Sequence, residues 1–242
     1  MSDLEKLAKN GNLPKHIGLI LDGNRRWARE RGIDINMGHL EGYRTITNIL
    51  KSFFKAGVRY LSIYALSLEN YHKRSQDELA YIYKMIKRAV GQVKEEPIIK
   101  EEKVKFNVIG RWQLLPQDVQ EKIKEVKEYT KRHNNAFINL CLMYDGQAEI
   151  VDAVKKIIKD GVNPEAIDKK LFKKYLYTEN FPELDYIIRT GMEDGARISG
   201  FLLWDASYAE FKFRNEYWPE YNETMLIEDL KEYSRRNRRK GK

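Results

Sequence analysis

Short apolar runs alternate along this sequence with stretches of helical periodicity. That alternation predicts an α/β fold: a mainly parallel central sheet flanked by helices. Two further observations support it. The 242 residues suffice for one large α/β domain, and no repeat, low-complexity segment or long linker divides them. The most polar clusters follow directly after apolar runs, where ligands bind in sheets of this kind. We therefore read residues 1–242 as a single domain, with an N-terminal extension over 1–14 and a basic tail over 235–242.

The elements follow in order. Residues 16–21, His-Ile-Gly-Leu-Ile-Leu, form a nearly continuous apolar run that ends at Asp-Gly, as a buried strand does. Ile46, Ile49, Leu50 and Phe53 recur at helical spacing and predict a helix over 40–56, stopped by Gly57. Residues 59–66 are strand-like. Ser75 is an N-cap for a helix over 76–94, and Glu78 three residues on would complete a capping box. Residues 104–109 alternate as a strand, and Pro116 opens a helix to about His133. Residues 137–143 read as a buried strand, followed by a helix through Ile150, Val154 and Ile157. A short helix is expected over 164–176, a strand over 186–188 ending in Arg189-Thr190-Gly191, and a last helix over 223–234.

Composition narrows the function. A formal net charge of +8 suits nucleic acid, an anionic membrane surface or a small phosphorylated substrate. Much of the excess lies in the tail, Arg235-Arg236-Asn237-Arg238-Arg239-Lys240, a solvated segment or a contact to a membrane surface. The single cysteine, Cys141, sits in an apolar run, which fits a buried thiol in a reducing cytoplasm. Four histidines and one cysteine leave no credible zinc site. No run of 18 apolar residues is long enough to cross a membrane, and the charged N-terminus does not read as a signal peptide. The sequence has no Walker loop and no Gly-x-Gly-x-x-Gly, which argues against nucleotide hydrolysis and dinucleotide chemistry. It also lacks the Asp-Asp-x-x-Asp clusters of trans-type prenyl synthases.

Three clusters could carry chemistry. The first strand ends at Asp22-Gly23-Asn24, and Arg25-Arg26-Trp27 then opens a helix. A helix N-terminus offers free N–H groups to a phosphate, and Gly23 permits close backbone approach. Arg26 can add a bidentate contact, and Asp22 is placed to hold Mg²⁺ against diphosphate oxygens. Taken alone, Asp-Gly-Asn is also an ordinary turn. The second cluster, Ser67-Leu68-Glu69-Asn70-Tyr71-His72-Lys73-Arg74, puts a hydroxyl, an amide, an aromatic ring and cations in one loop. The third, Arg189 with Arg197-Ile198-Ser199, could clamp a second phosphate, tempered by the neighbouring acids Glu193 and Asp194. Glu210 lies in an apolar stretch, where a carboxylate needs an arginine or a metal.

Together these clusters resemble the cis-prenyltransferases, the undecaprenyl diphosphate synthase family. The resemblance covers about 16–219 and rests on HIGLILDGNRRWA, Gly38-His39, SLENY, DYIIRTG, RIS and FLLWDASYAEFKF in order. The spelling GMEDGARIS is similar to archaeal members. The resemblance implies an α/β homodimer with an apolar tunnel that condenses isopentenyl diphosphate onto an allylic prenyl diphosphate with Mg²⁺, making cis double bonds. On it, Asp22 matches the essential magnesium-binding aspartate. Gly23, Asn24, Arg25 and Arg26 match the allylic diphosphate cradle, with Trp27 and His39 beside it. Ser67, Leu68 and Glu69 match a substrate-contact stretch, and Asn70 matches the residue assigned to proton removal. An amide is a poor base, so our reading has Asn70 orient a phosphate oxygen or a water. Arg189, Arg197, Ile198 and Ser199 match the isopentenyl diphosphate site, and Glu210 matches a second metal-associated carboxylate.

Departures from the pattern are few. Ile35 stands where many bacterial members have arginine, and Tyr71 replaces a common tryptophan. Lys73 fills the next arginine position without a gap, Arg74 with one inserted residue. Asp194 to Ala196 lengthen the loop before Arg197, and residues 143–147 differ from the family's Asn-Tyr-Gly-Gly-Arg. The stripe Leu79, Ile82, Met85, Ile86 and Ala89 is a candidate tunnel wall on this reading, and equally a helix face packed in the core. Three other functions are open to the sequence: a non-catalytic partner subunit, which Asp22, Asn24 and Arg26 oppose; a nucleic-acid-binding module, which only net charge favours; and another diphosphate enzyme such as a phosphatase.

Overall fold

The computed structural model of the chain describes residues 3–10, 12–193 and 195–236. The basic tail beyond Arg236, and Asp194 in the lengthened loop, lie outside the described residues. Among the described residues, six strands form one sheet: β1 (His16–Ile20), β2 (Tyr60–Ser67), β3 (Val104–Ile109), β4 (Ala136–Tyr144), β5 (Tyr186–Arg189) and β6 (Glu210–Phe213). Their order is β3-β4-β2-β1-β5-β6, and every pairing is parallel. The helices are α1 (Asp3–Asn10), α2 (Asn24–Glu30), α3 (Ile35–Lys55), α4 (Leu68–Lys73), α5 (Gln76–Gln92), α6 (Pro97–Glu101), α7 (Gln117–Tyr129), α8 (Gly146–Lys159), α9 (Lys169–Lys173) and α10 (Glu223–Arg235). The expected single parallel-sheet domain is what forms.

Strand alternation sorts the core into two layers. Ile17 and Leu19 point into the larger cluster, with Leu61, Ile63, Leu142 and Ile188 from neighbouring strands. Ile20, Tyr64, Cys141 and Ile187 point to the other face, against Phe201 and Leu202. Gly18 belongs to that second face, and its bare Cα seats Phe201: a Cβ there would lie 2.6 Å from the ring. Cys141 is fully buried, as expected of an inert thiol.

Several elements differ from the sequence expectation, each for a local reason. Helix α3 begins five residues early because Asp34 caps it, accepting from Asn36 N–H at 2.7 Å. The Ser67–Arg74 segment is not a loop. Ser67 ends β2 and at once caps α4, accepting from Asn70 N–H at 3.0 Å. The helix expected over 164–176 splits into a 3₁₀ turn (Pro164–Ala166) and α9, because Asp168 accepts from Leu171 N–H and restarts the chain. The N-terminal extension forms α1, whose Leu4 is buried in the main core. Strand β6 and helix α6 are too short to show a period.

A polar ladder crosses the sheet inside the second face. His16 Nε2 lies 2.7 Å from Ser62 Oγ, Asn139 Nδ2 donates to Ser62 Oγ at 3.1 Å, and Asn107 Nδ2 donates to Asn139 Oδ1 at 3.0 Å. The partners come from β1, β2, β4 and β3 in turn, so the ladder ties neighbouring strands in register. His16 Nδ1 donates to the Pro182 carbonyl at 2.9 Å, and in the neutral ring Nε2 accepts from the Ser62 hydroxyl. Burial pushes the imidazole down to about 4.

That shift sets a pH window for stability. Below pH 6.5, the ordinary histidine value, the unfolded chain takes up a proton that folded His16 refuses until about 4. The contribution is whole above the unfolded value and fades as pH falls. Denaturant unfolding at pH 7 and pH 5 is expected to show that His16→Gln loses less stability over this interval than the parent, by on the order of 2 kcal/mol. Parallel losses in the two proteins contradict the assignment.

Candidate active site

Strands β1, β2 and β5 end side by side, with Ile20 paired to both Tyr64 and Arg189. The chain leaves β1 toward β2 and later returns to β5 on the other side, so a crevice opens at their carboxyl ends. Register shifts between β2 and β4 at Tyr64, Leu66 and Ser67 bend the end of β2 there. A cavity of about 580 Å³ occupies the crevice.

Its polar floor is Asp22. The Arg189 guanidinium, 6 % exposed, donates from Nη2 to Asp22 Oδ2 at 2.7 Å. Nη1 of the same group donates to Ser199 Oγ at 2.9 Å and to the Arg197 carbonyl at 2.7 Å. Arg26 Nη2 sits 3.4 Å from Asp22 Oδ1 and donates to the Gly191 carbonyl. The backbone at Asp22 is held as well: its carbonyl accepts from Thr190 Oγ1 at 2.8 Å and from Trp218 N–H at 3.0 Å. Gly23 then turns the chain into α2 with φ +104°, and a Cβ there would lie 2.5 Å from the Tyr217 ring and 3.0 Å from its Cα. Glycine is required on both counts. Close packing of α3 on α2 also needs glycine, since a Cβ at Gly38 would meet the Asn24 carbonyl at 2.1 Å.

One side of the mouth is cationic. Arg25, Arg26 and Arg29 from α2, His39 from α3, and Lys73 and Arg74 after β2 all line it. Arg74 is turned inward, with its side chain 13 % exposed, whereas Lys73 is 71 % exposed and pairs with Glu69 along α4 at 2.5 Å. The buried Nε atoms of Arg25, Arg74 and Arg189 have no hydrogen-bond partner. The guanidiniums that converge on the cavity suit a polyvalent anion. Burial, with the Arg74 charge beside it, lowers the His39 imidazole, so the ring is neutral at pH 7. The other side of the cavity is apolar. Ile82, Met85, Ile86 and Ala89 of α5 face Ile46 and Ile63.

The structure therefore gathers Asp22, Gly23, Asn24, Arg25, Arg26 and His39 with Ser67, Glu69, Asn70, Lys73 and Arg74, and with Arg189, Arg197 and Ser199. It does not bring every expected residue there. The Trp27 ring stacks under the Arg31 guanidinium at 4.5 Å, outside the cavity wall. Leu68 and Tyr71 pack on the main core, and Ile198 on the second cluster, because apolar side chains beside these turns bury themselves. Glu210 opens β6 opposite Tyr186, at the other end of β5 from Arg189. Its carboxylate accepts from Arg236 Nη1 at 2.7 Å. Among the stripe residues, Leu79 is fully buried and does not line the cavity. The acid Glu193 does not neutralise the arginines; it accepts from the Tyr217 hydroxyl at 2.9 Å.

Sequence reasoning missed three participants. Arg29 lies one turn beyond Arg25 and Arg26, a helical spacing that could have flagged it. Tyr64 lies inside a strand, yet its hydroxyl donates to the Ser199 and Tyr144 carbonyls at 3.3 and 3.1 Å and shapes the Ser199 turn. Glu78 makes only half of the expected capping box. Ser75 Oγ accepts from its N–H at 3.3 Å, but the Glu78 carboxylate turns away to His39, Arg25 and Arg74.

An inward-facing set of cations joined to an apolar arm defines a site for an amphiphilic anion. Comparison with known proteins makes this specific. Residues 20–241 match the family described as "Putative undecaprenyl diphosphate synthase". A tritrans,polycis-undecaprenyl-diphosphate synthase (geranylgeranyl-diphosphate specific) of Pyrococcus horikoshii is 40 % identical over 99 % of this chain and 90 % of its own. An isoprenyl transferase of Fusobacterium nucleatum is 40 % identical over 95 % of this chain and 96 % of its own. The crystal structure of lavandulyl diphosphate synthase from Lavandula x intermedia, in complex with dimethylallyl diphosphate, superposes with a TM-score of 0.87. It is 28 % identical, covering 95 % of this chain and 99 % of that one. The chain belongs to the undecaprenyl diphosphate synthase family of cis-prenyltransferases. It is a transferase that elongates prenyl diphosphates, and the non-catalytic and nucleic-acid readings are not favoured.

The Gly23 geometry can be checked directly. Gly23→Ala is expected to lower the melting temperature by several degrees, from an overpacking cost of about 1–3 kcal/mol. It should also weaken inorganic diphosphate binding about tenfold in calorimetry, because the α2 N-terminus shifts. Unchanged binding would mean that this turn does not shape the anion site.

Proposed function

We propose that this enzyme condenses isopentenyl diphosphate onto an allylic prenyl diphosphate, adds each unit in the cis configuration and releases diphosphate. The observation that carries the reading is one cavity in which two cationic clusters, joined through Asp22 and Arg189, open onto an apolar arm. On this reading, Arg25, Arg26 and the α2 N-terminus bind the allylic diphosphate with His39 beside them, and Arg74, not Lys73, completes the cradle. Arg189, Arg197 and Ser199 bind the incoming diphosphate. The inward turn of Arg74 and the shared hydrogen bonds of Arg189 support these roles.

A magnesium ion fits this donor set. Among the described residues no group of three or more potential ligands forms a metal cluster. Mg²⁺ needs only one or two carboxylates when substrate phosphates supply its other oxygens. Asp22, 32 % exposed at the cavity, is the residue to hold it. Bound there, the ion would draw negative charge onto the leaving diphosphate. The chain's own groups act in the same direction. Guanidinium N–H donors stabilise charge that builds on the phosphate oxygens as the allylic C–O bond breaks. The apolar wall excludes water from the cationic carbon. Asn70, at the cavity edge, orients the phosphate oxygen or water that takes the proton from C2 of the adduct. An Asn70→Ala enzyme with full turnover and normal affinity removes that role.

The growing chain lies along the arm lined by Ile82, Met85, Ile86 and Ala89, and side-chain size there limits product length. The archaeal relatives named as geranylgeranyl-diphosphate specific favour that starter for this chain too. The enzyme works as a homodimer on the same reading. Helix α8 carries an exposed apolar row, Val151, Val154 and Ile158, suited to a second copy. A monomer in light scattering sets the dimer aside. Among the described residues no helix is long and apolar enough to cross a membrane, and the basic tail is the segment proposed to touch a membrane surface.

The deciding experiment incubates the protein with labelled isopentenyl diphosphate, Mg²⁺ and allylic starters of several lengths, and separates the products by chromatography. Longer cis-prenyl diphosphates and free diphosphate are expected. No elongation from any starter would sink the reading. In the same assay Asp22→Asn should lose about 100-fold or more in kcat, and Ala89→Leu should shorten the longest product.

A further inference from the structure

One carboxylate behind the cationic mouth has no part in the function described so far. Glu78 lies in the first turn of α5, its side chain is 11 % exposed, and it is not in the cavity wall. Its Oε1 faces three side chains: His39 Nε2 at 3.2 Å, Arg25 Nε at 3.5 Å and Arg74 Nε at 3.6 Å. The three come from α2, α3 and the link between α4 and α5. Only the first contact is a hydrogen bond, with the imidazole donating, since a carboxylate can only accept. At the two longer distances the guanidiniums are attracted by charge but keep their N–H donors. Both Nε atoms are buried on the Glu78 side, and neither makes a hydrogen bond among the described residues.

We propose that Glu78 is a positioning residue for the diphosphate site: it gathers Arg25, His39 and Arg74 behind the cradle, and its charge limits how tightly the two arginines retain diphosphate. The proposal rests on the diphosphate-transfer reading above. Two guanidiniums brought together without a counter-charge repel each other and splay toward solvent. The carboxylate offsets that repulsion from behind, outside the cavity wall. Diphosphate is the leaving group and must depart in every cycle. Cations converging on it with nothing to offset them would make its release slow. A negative charge on the far side of the same cations weakens their hold without touching the ligand.

Glu78→Gln tests this, because it removes the charge but keeps the shape and an acceptor oxygen for His39. The Ser75 cap uses the Glu78 backbone N–H, so the helix start survives the change. In calorimetry with inorganic diphosphate, the Gln variant is expected to bind roughly tenfold tighter than the parent. In elongation assays its kcat and its KM for the allylic diphosphate should fall together. Glu78→Asp, which keeps the charge, should stay within about threefold of the parent for diphosphate binding. Equal or weaker diphosphate binding by Glu78→Gln overturns the proposal, as does a raised KM at unaltered kcat, the mark of a merely structural contact. An Asp variant that binds diphosphate as tightly as the Gln variant also overturns it. Calorimetry needs no elongation, so a parent protein that binds diphosphate but elongates nothing counts against the proposed function and not against Glu78.

Discussion

The hydrogen-bonded pair of Arg189 and Asp22 joins the ends of two strands that are 167 residues apart in the chain. Asp22 alone is a turn residue after β1. Arg189 alone is the last residue of β5. Parallel pairing of β1 with β5 sets them side by side, and the guanidinium then spans from Asp22 to Ser199. Arg189 is almost fully buried, so it depends on these acceptors. Breaking a buried ion pair by removing one partner costs about 3–5 kcal/mol, because the other charge is left unpaired. The exposure of Asp22 lowers that figure here. The pair is therefore structural and functional at once: it fixes the geometry of both cationic clusters relative to each other.

Around that pair the fold solves a problem of like charges. Among the described residues, seven cationic side chains line one cavity: Arg25, Arg26, Arg29, Lys73, Arg74, Arg189 and Arg197. Their mutual repulsion is offset in three ways. Asp22 serves Arg26 and Arg189. Glu69 serves Lys73, and Glu78 stands behind Arg25 and Arg74. His39 contributes a neutral ring, because burial and Arg74 keep it deprotonated. What remains at the cavity is an excess of guanidinium charge, which a diphosphate can meet with charge-assisted hydrogen bonds.

The scaffold away from the site is held by different physics. Two apolar layers clamp the sheet, and the His16-Ser62-Asn139-Asn107 ladder pins register where apolar packing alone permits slippage. Rigid strand ends matter to a site assembled from three of them. A slip of one residue on β5 would turn Arg189 to the opposite face of the sheet.

Much of this was legible in the sequence, because secondary structure leaves a local period. The strands over 16–21, 104–109 and 137–143, the Ser75 cap and the helix after Pro116 were all readable from spacing and turn chemistry. So were the three polar clusters, since each follows an apolar run. The short elements β6, α4 and α6 were not recovered from spacing. Tertiary structure alone decided where side chains meet. It put Glu78 against three basic partners instead of its own helix cap, turned Arg74 inward and Lys73 outward, sent Leu68 and Tyr71 to the core, and paired Glu210 with Arg236 at the far end of the sheet. The physical reason is that periodicity is a property of neighbours in the chain. The meeting of residues 22, 78 and 189 depends instead on strand order and burial, which only the folded chain fixes.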